Sequence, residues 1–295
     1  MAKNSFYIVD VFAEQKYAGN QLAVFRDAKG LADEDMQTFA KEMNYSETTF
    51  ILSEDKRDGG YDVRIFTPAQ ELPFAGHPTL GTAFVIQKEI ERQPVERVVL
   101  NLKVGQIPVE FKYKEIDIEI MWMKQINPTF GATFDTGTLS TVLSLHTSDI
   151  NERYPIQEVS TGTPFIMVPL KTLDATKRAT INKDRYFNLI KDAQAKAILI
   201  FCQETYCEAN HLNVRVFADY YGVPEDPATG SANGCLAGYL AKHRYFGKER
   251  INVRVEQGHE IGRPSVLFLK AEDKKDKIDV FVGGRAVMVA KGEFI

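Results

Sequence analysis

Cysteine is scarce in this chain, with three in 295 residues. An odd number in a chain this long implies no disulfide framework. Cys202 and Cys207 lack the paired spacing of a zinc site, and the five histidines are scattered, so no metal-ligand set is expected. Long apolar runs are missing too. None approaches the roughly 20 residues that a membrane helix needs. The start, Met1-Ala-Lys-Asn-Ser5, leads straight into a strand pattern with no signal peptide, and cytoplasmic residence is the default expectation. Nor is there an excess of basic residues. A net charge of -4 and a pI near 5.8 argue against nucleic acid as the main partner. The lysine-rich run Asp273-Lys-Lys-Asp-Lys277 is interleaved with acids and flanked by strands, which reads as a solvated hairpin turn. No linker rich in Pro, Gly or Ser divides the chain.

What is present is ordinary globular material, 44% apolar and 26% charged, enough for two modest domains or one large one. Strand patterns fall at Phe6–Phe12, Leu22–Phe25, Thr48–Leu52 and Tyr61–Phe66, then at Val98–Leu102, Ile107–Tyr113 and Ile116–Met121. Asp33 is the expected N-cap of a helix carried by Met36, Phe39, Ala40 and Met43 and ending near Asn44. Residues 125–150 hold too many Thr and Ser for an assignment. Beyond them come strands at Phe165–Leu170 and Ala197–Phe201, a helix at Arg185–Lys191, and strands at Val253–Val255, Ser265–Lys270, Ile278–Val282 and Ala286–Ala290.

Two glycine-rich turns punctuate this pattern. In Gly222-Val-Pro-Glu-Asp-Pro-Ala-Thr-Gly-Ser-Ala232, Gly222, Pro224 and Pro227 break regular structure. Ala232, Cys235, Leu236, Tyr239 and Leu240 then form one apolar helical stripe. Gly230 and Ser231 therefore stand where unpaired helix N–H groups point outward, at the positive end of the helix dipole. Such a place suits a carboxylate or phosphate. Pro73-Phe-Ala-Gly-His-Pro-Thr-Leu-Gly-Thr-Ala-Phe84 echoes it, with Leu80, Ala83 and Phe84 on one face. The strands feeding the turns match as well: Val63-Arg-Ile-Phe66 and Val214-Arg-Val-Phe217. Ser46-Glu-Thr-Thr-Phe-Ile51 parallels Ser160-Thr-Gly-Thr-Pro-Phe-Ile166 more faintly. The pattern is that of a duplicated unit whose two helix N-termini face one cleft.

Glu47 is the best candidate acid or base. It follows a helix end, opens a strand, and is the lone charge between Asn44 and Leu52. A carboxylate against apolar walls has a raised pKa, which suits proton transfer near neutrality. The alternative is an exposed glutamate at a strand end. Asp226 either caps the following turn or holds a substrate ammonium or hydroxyl beside the helix N-terminus. His77, fixed by the proline after it, is either a satisfied loop histidine or a positioned imidazole. Cys235 lies on the apolar stripe and reads as core.

Taken together, these motifs resemble the PhzF-like isomerase family of phenazine biosynthesis, within the diaminopimelate epimerase-like fold. The carriers are Val9-Asp-Val-Phe12 with Gly19-Asn20, Ser46-Glu-Thr48, Arg64-Ile-Phe-Thr-Pro68 with Glu71, and Gly76-His-Pro-Thr79. Further along they are Glu225-Asp-Pro-Ala-Thr-Gly-Ser-Ala232, Gln257-Gly258, Gly262-Arg-Pro-Ser265 and Gly283-Gly284. Gln21 departs from the family, where proline is expected after Gly-Asn. The resemblance implies an α+β chain of two pseudo-symmetric domains, each a curled, mostly antiparallel sheet around a central helix. Residues 1–120, joined by the final strands near 280–295, form one domain and residues 121–280 the other. It also implies an active site between the domains and a homodimer. Glu47 is then the proton-shuttling residue, assisted by His77 and Asp226, with Gly76, His77, Gly230 and Ser231 binding the substrate, and neither cofactor nor metal is used.

The reaction expected is a proton moved between carbons of a small carboxylate-bearing substrate resembling dihydro-hydroxyanthranilate. Related racemases open each glycine turn with a cysteine. Here those slots hold Ala75 and either Ala228 or Thr229, and Glu47 has no carboxylate counterpart where the second half reads Thr161. One base returning a proton on the same face fits this better than two-thiol inversion. The competing readings are an amino-acid racemase or epimerase on the same fold, and a binding protein that kept the cleft without catalysis.

Overall fold

A computed structural model of the chain describes residues 4–294. Met1–Lys3, on which part of the expectation about the chain's start rests, lie outside the described residues. The polypeptide divides into two compact units, one of Met1–Met123 with Gly283–Ile295 and the other of Lys124–Val282. Each is α+β, a mostly antiparallel sheet curled about one buried helix. No helix among the described residues is long and apolar enough to cross a membrane.

The first unit contains β1 (Asn4–Val11), β2 (Asn20–Phe25), α1 (Asp33–Met43), β3 (Glu47–Ile51), β4 (Tyr61–Phe66), β5 (Glu71–Leu72), α2 (Gly76–Val85), β6 (Arg97–Leu102), β7 (Gly105–Lys114) and β8 (Asp117–Lys124). Neighbours pair antiparallel, except that β2–β3 and β4–β6 are parallel. The short β5 edges β4, and the chain's last strand, Ala286–Phe294, returns to pair with β1.

α2 was expected to bury one face, yet all ten of its residues are buried, because the curled sheet surrounds it. A helix buried all round is a core helix, and its polar His77, Thr79 and Thr82 are enclosed with the rest. Pro78 is tolerated in its first turn, where the missing N–H would have had no helical partner. A Cβ on Gly81 would lie 2.6 Å from Leu22 Cδ2 and 2.7 Å from Val11 Cγ2, so glycine lets the helix rest this closely on β1 and β2. At α1 the capping position is Ala32 rather than Asp33. Asp33 begins the helix instead, its carboxylate drawn to Arg64. Asn44, at φ 52°, ends it in the left-handed region.

The second unit holds β9 (Thr129–Phe134), α3 (Thr136–Val142), β10 (Ile156–Ser160), β11 (Pro164–Pro169), α4 (Leu173–Arg178), α5 (Lys183–Asp192), β12 (Ala197–Cys202), β13 (Leu212–Ala218), β14 (Val223–Asp226), α6 (Gly230–Lys242), β15 (Arg250–Gln257), β16 (Ser265–Asp273) and β17 (Ile278–Gly284). From β10 to β16 the pairings run antiparallel, parallel, antiparallel, a short edge strand, a buried helix, parallel, antiparallel. That is the succession of β1 to β7. α6, buried from Ala232 to Ala241, occupies the place of α2. Ile166, Val168, Ile198 and Ile200 pack on the other side of the sheet against Leu139, Tyr186 and Ile190.

Strand order corrects one sequence echo. In the ladders Glu47 lies opposite Leu22, and Ala197 opposite Phe165. β3 therefore corresponds to β12, and β11 to β2. The counterpart of Glu47 is Ala197, not Thr161, and it still is not a carboxylate. The stretch before Asp226 also proves more regular than a loop. β14 pairs with β13 through Val216↔Asp226 and Ala218↔Val223, an edge position that admits Pro224.

Candidate active site

In the first unit, Glu47, Gly76 and His77 come together. Glu47 is the first residue of β3, and His77 is the second of α2. Thr49 and Thr82, both fully buried, join strand to helix by a 2.8 Å hydroxyl–hydroxyl bond. On the same two elements His77 Nε2 lies 3.5 Å from Glu47 Oε2. The Glu47 side chain is 18% exposed, which removes the reading of it as an exposed strand-end glutamate.

His77 is enclosed, and burial pushes its pKa down to about 3, against a smaller upward effect from the Gln21 backbone. An upward effect on an imidazole means that an acceptor faces it, here the carbonyl. Nε2 makes no hydrogen bond. Burial thus holds the ring neutral beside Glu47. Gln21, the departure from the family pattern, takes part through its backbone, which proline would also supply.

In the second unit, Asp226, Gly230 and Ser231 fall within one turn. Asp226 ends β14, and Gly230 and Ser231 open α6, with Thr229 at the capping position. Ala75 caps α2, so the matching pair in the two units is Ala75 and Thr229. Neither is a thiol. Thr229 Oγ1 donates to Asp226 Oδ2 at 2.5 Å. The sequence marks Gln257-Gly258 and Thr229 without linking either to the Asp226 side chain. Gln257 bonds the Asp226 carbonyl and Thr229, and Asn233 bonds both Thr229 and Gln257. The legible signal was Asn233, four residues after Thr229 on the helix.

A second feature was missed in both units. Arg64 grips Glu71 with Nε–Oε1 at 2.9 Å and Nη2–Oε2 at 2.8 Å. Arg215 grips Glu225 with the same two distances. Each guanidinium also covers a phenylalanine two residues on, Phe66 at 5.1 Å and Phe217 at 4.8 Å. Both glutamates precede the first glycine of the buried helix by five positions, so each fork ties a central strand to the turn that starts its helix. Such bidentate pairs are geometrically specific as well as strong.

Cys235 is core, as expected. It and Cys202 are buried, and burial raises both thiols to about 11, which leaves neither as a nucleophile near neutrality. Among the described residues, no group of three or more His, Cys, Asp or Glu is placed to hold a metal ion.

Residues 9–292 match the family model described as "Phenazine biosynthesis-like protein". A trans-2,3-dihydro-3-hydroxyanthranilate isomerase of Pseudomonas fluorescens is 36% identical, covering 99% of this chain and 99% of that protein. The crystal structure of a phenazine biosynthesis protein of the PhzF family from Bacillus anthracis aligns over 100% of both chains, with TM-score 0.90 and 28% identity. A probable proline racemase from Agrobacterium radiobacter aligns over 99% of this chain and 93% of its own at TM-score 0.63. At 8% identity that likeness concerns the fold alone.

Proposed function

This chain belongs to the phenazine biosynthesis-like family, and we propose that it moves a proton between two carbons of a small carboxylate-bearing substrate. It is an isomerase. In this reading Glu47 is both acid and base, and no cofactor takes part. The relatives named trans-2,3-dihydro-3-hydroxyanthranilate isomerase suggest the substrate class, a conjugated ring acid bearing amino and hydroxyl groups.

The observation that carries the reading is the pairing of Glu47 with a neutral, buried His77. As a carboxylate, Glu47 takes a C–H proton, and the electron pair left behind spreads into the conjugated system. The protonated Glu47 then donates a hydrogen bond to His77 Nε2. Burial keeps the imidazole too weak a base to remove that proton, so the proton stays on Glu47 and is delivered to the second carbon on the same face. The N–H groups at Gly76 and Gly230, with the Ser231 hydroxyl, bind the substrate and stabilise the charge that develops. Asp226 holds the amino or hydroxyl substituent. The working molecule is a homodimer, which light scattering in solution tests.

Glu47→Gln tests the assignment, with trans-2,3-dihydro-3-hydroxyanthranilate as the probe. Removing a general acid–base typically costs about a hundred- to ten-thousand-fold. Turnover is expected to fall by at least that much, while the probe still raises the melting temperature. Turnover at the wild-type rate would refute the role of Glu47.

A further inference from the structure

Gln257 and Thr229 have no part in the reading above except as neighbours of Asp226. Gln257 ends β15 and is fully buried. A primary amide offers two donor hydrogens and two acceptor lone pairs, and here all four are used. Nε2 donates to the Asp226 carbonyl at 2.7 Å and to Thr229 Oγ1 at 3.1 Å. Oε1 accepts from Thr229 N at 3.2 Å and from Asn233 Nδ2 at 2.9 Å.

This pattern admits one amide orientation. Reversed, the NH₂ group would face two other donors. The orientation also sets a direction for the threonine. Because Thr229 Oγ1 accepts from Gln257, its single hydrogen is free to go only to Asp226 Oδ2. Oδ2 thereby accepts the Thr229 hydroxyl proton.

The same end of β15 holds the following residue of the turn. A Cβ on Gly258, which has φ +80°, would lie 2.6 Å from the Pro227 carbonyl oxygen and 2.4 Å from that of Arg263. Only glycine brings the two backbones this close. Ser265, the first residue of β16, donates from Oγ to the Pro227 carbonyl at 2.9 Å. The motifs Gln257-Gly258 and Arg263-Pro-Ser265 thus converge on Asp226-Pro227.

We propose that Gln257 is a positioning residue, which sets the place and hydrogen-bond polarity of the Asp226 carboxylate through the Thr229 hydroxyl. The inference rests on Asp226 being a substrate-contacting group. It adds that the Thr229 hydroxyl reaching the group is itself oriented from β15.

The test uses the full chain in four variants: Thr229→Val, Thr229→Ser, Gln257→Met and Asp226→Asn. Crystal structures and turnover of trans-2,3-dihydro-3-hydroxyanthranilate are both read. Thr229→Val keeps the shape of the side chain and removes the hydroxyl, and it decides the matter even if Gln257→Met fails to fold. In Thr229→Val and Gln257→Met the Asp226 carboxylate is expected to rotate away from residue 229. kcat/KM should fall by about a hundredfold, the loss that misplacing a substrate contact by an ångström can cause. Thr229→Ser should restore both position and rate. A role confined to stability would lower the melting temperature and leave kcat/KM per folded molecule unchanged. An unmoved carboxylate, or an unchanged kcat/KM in folded Thr229→Val, overturns the proposal. Wild-type turnover in Asp226→Asn would instead overturn the role of Asp226 itself. Should the compound not be turned over, the carboxylate position in the crystals decides alone.

Discussion

His77 holds a buried, neutral imidazole beside Glu47, with 3.5 Å between Nε2 and Oε2. The sign of the pH effect on stability follows. Between the ordinary value of 6.5 and about 3, the unfolded chain binds a proton at His77 that the folded chain refuses. Stability is therefore complete above pH 6.5 and declines as the pH falls, by about 1.4 kcal/mol per unit. From neutrality to about pH 5 the wild type should lose roughly 2 kcal/mol that His77→Gln does not lose. Denaturant titrations of both proteins at the two pH values check this, and parallel curves would contradict it.

The two arginine forks should differ in worth. Arg215 is 8% exposed in its side chain and also donates to the carbonyls of Thr176 and Ala179. Arg215→Ala strands the mostly buried Glu225, a loss of about 3 kcal/mol. Arg64 is 20% exposed, and Glu71 keeps Lys103 at 2.5 Å, so Arg64→Ala should cost clearly less. Urea unfolding of the two variants gives the order, and equal losses would count against it.

Thiol chemistry separates a single-glutamate mechanism from a two-thiol one. Cys207 is exposed, whereas Cys202 and Cys235 are buried with raised pKa values. Iodoacetamide at neutral pH should label Cys207 and leave turnover unchanged, as read by mass spectrometry and an activity assay. Inactivation in step with labelling of Cys235 would favour the racemase reading.

Much of the candidate site could be proposed from sequence because its signals are local. Gly76 and Gly230 mark helix starts by breaking the pattern before them, and Glu47 stands out as the lone charge in its run. What escaped depends on distance through the fold. Arg215 meets Glu225, and Gln257 meets Thr229, only once β13, β14 and β15 have paired, and no periodicity records such a meeting. Residues 125–150 failed for another reason. In β9, Thr129, Gly131, Ala132 and Thr133 are all exposed, so the strand lacks the alternation that marks a half-buried one. α3, Thr136–Val142, is built largely from Thr, Ser and Gly, which are weak helix formers. The Ser46 echo misled because short polar-to-apolar transitions recur at many strand starts, and strand order alone decides which ones correspond.

Proton exchange followed by NMR in deuterated buffer tests the central claim most directly, with trans-2,3-dihydro-3-hydroxyanthranilate and wild type run beside Glu47→Gln. The account predicts isomerisation by the wild type, with hydrogen isotope changing only at the two carbons between which the proton moves. It predicts neither isomerisation nor exchange in Glu47→Gln, although the variant still binds the compound. Exchange persisting in Glu47→Gln would mean that another group removes the proton, and the assignment of Glu47 would fall.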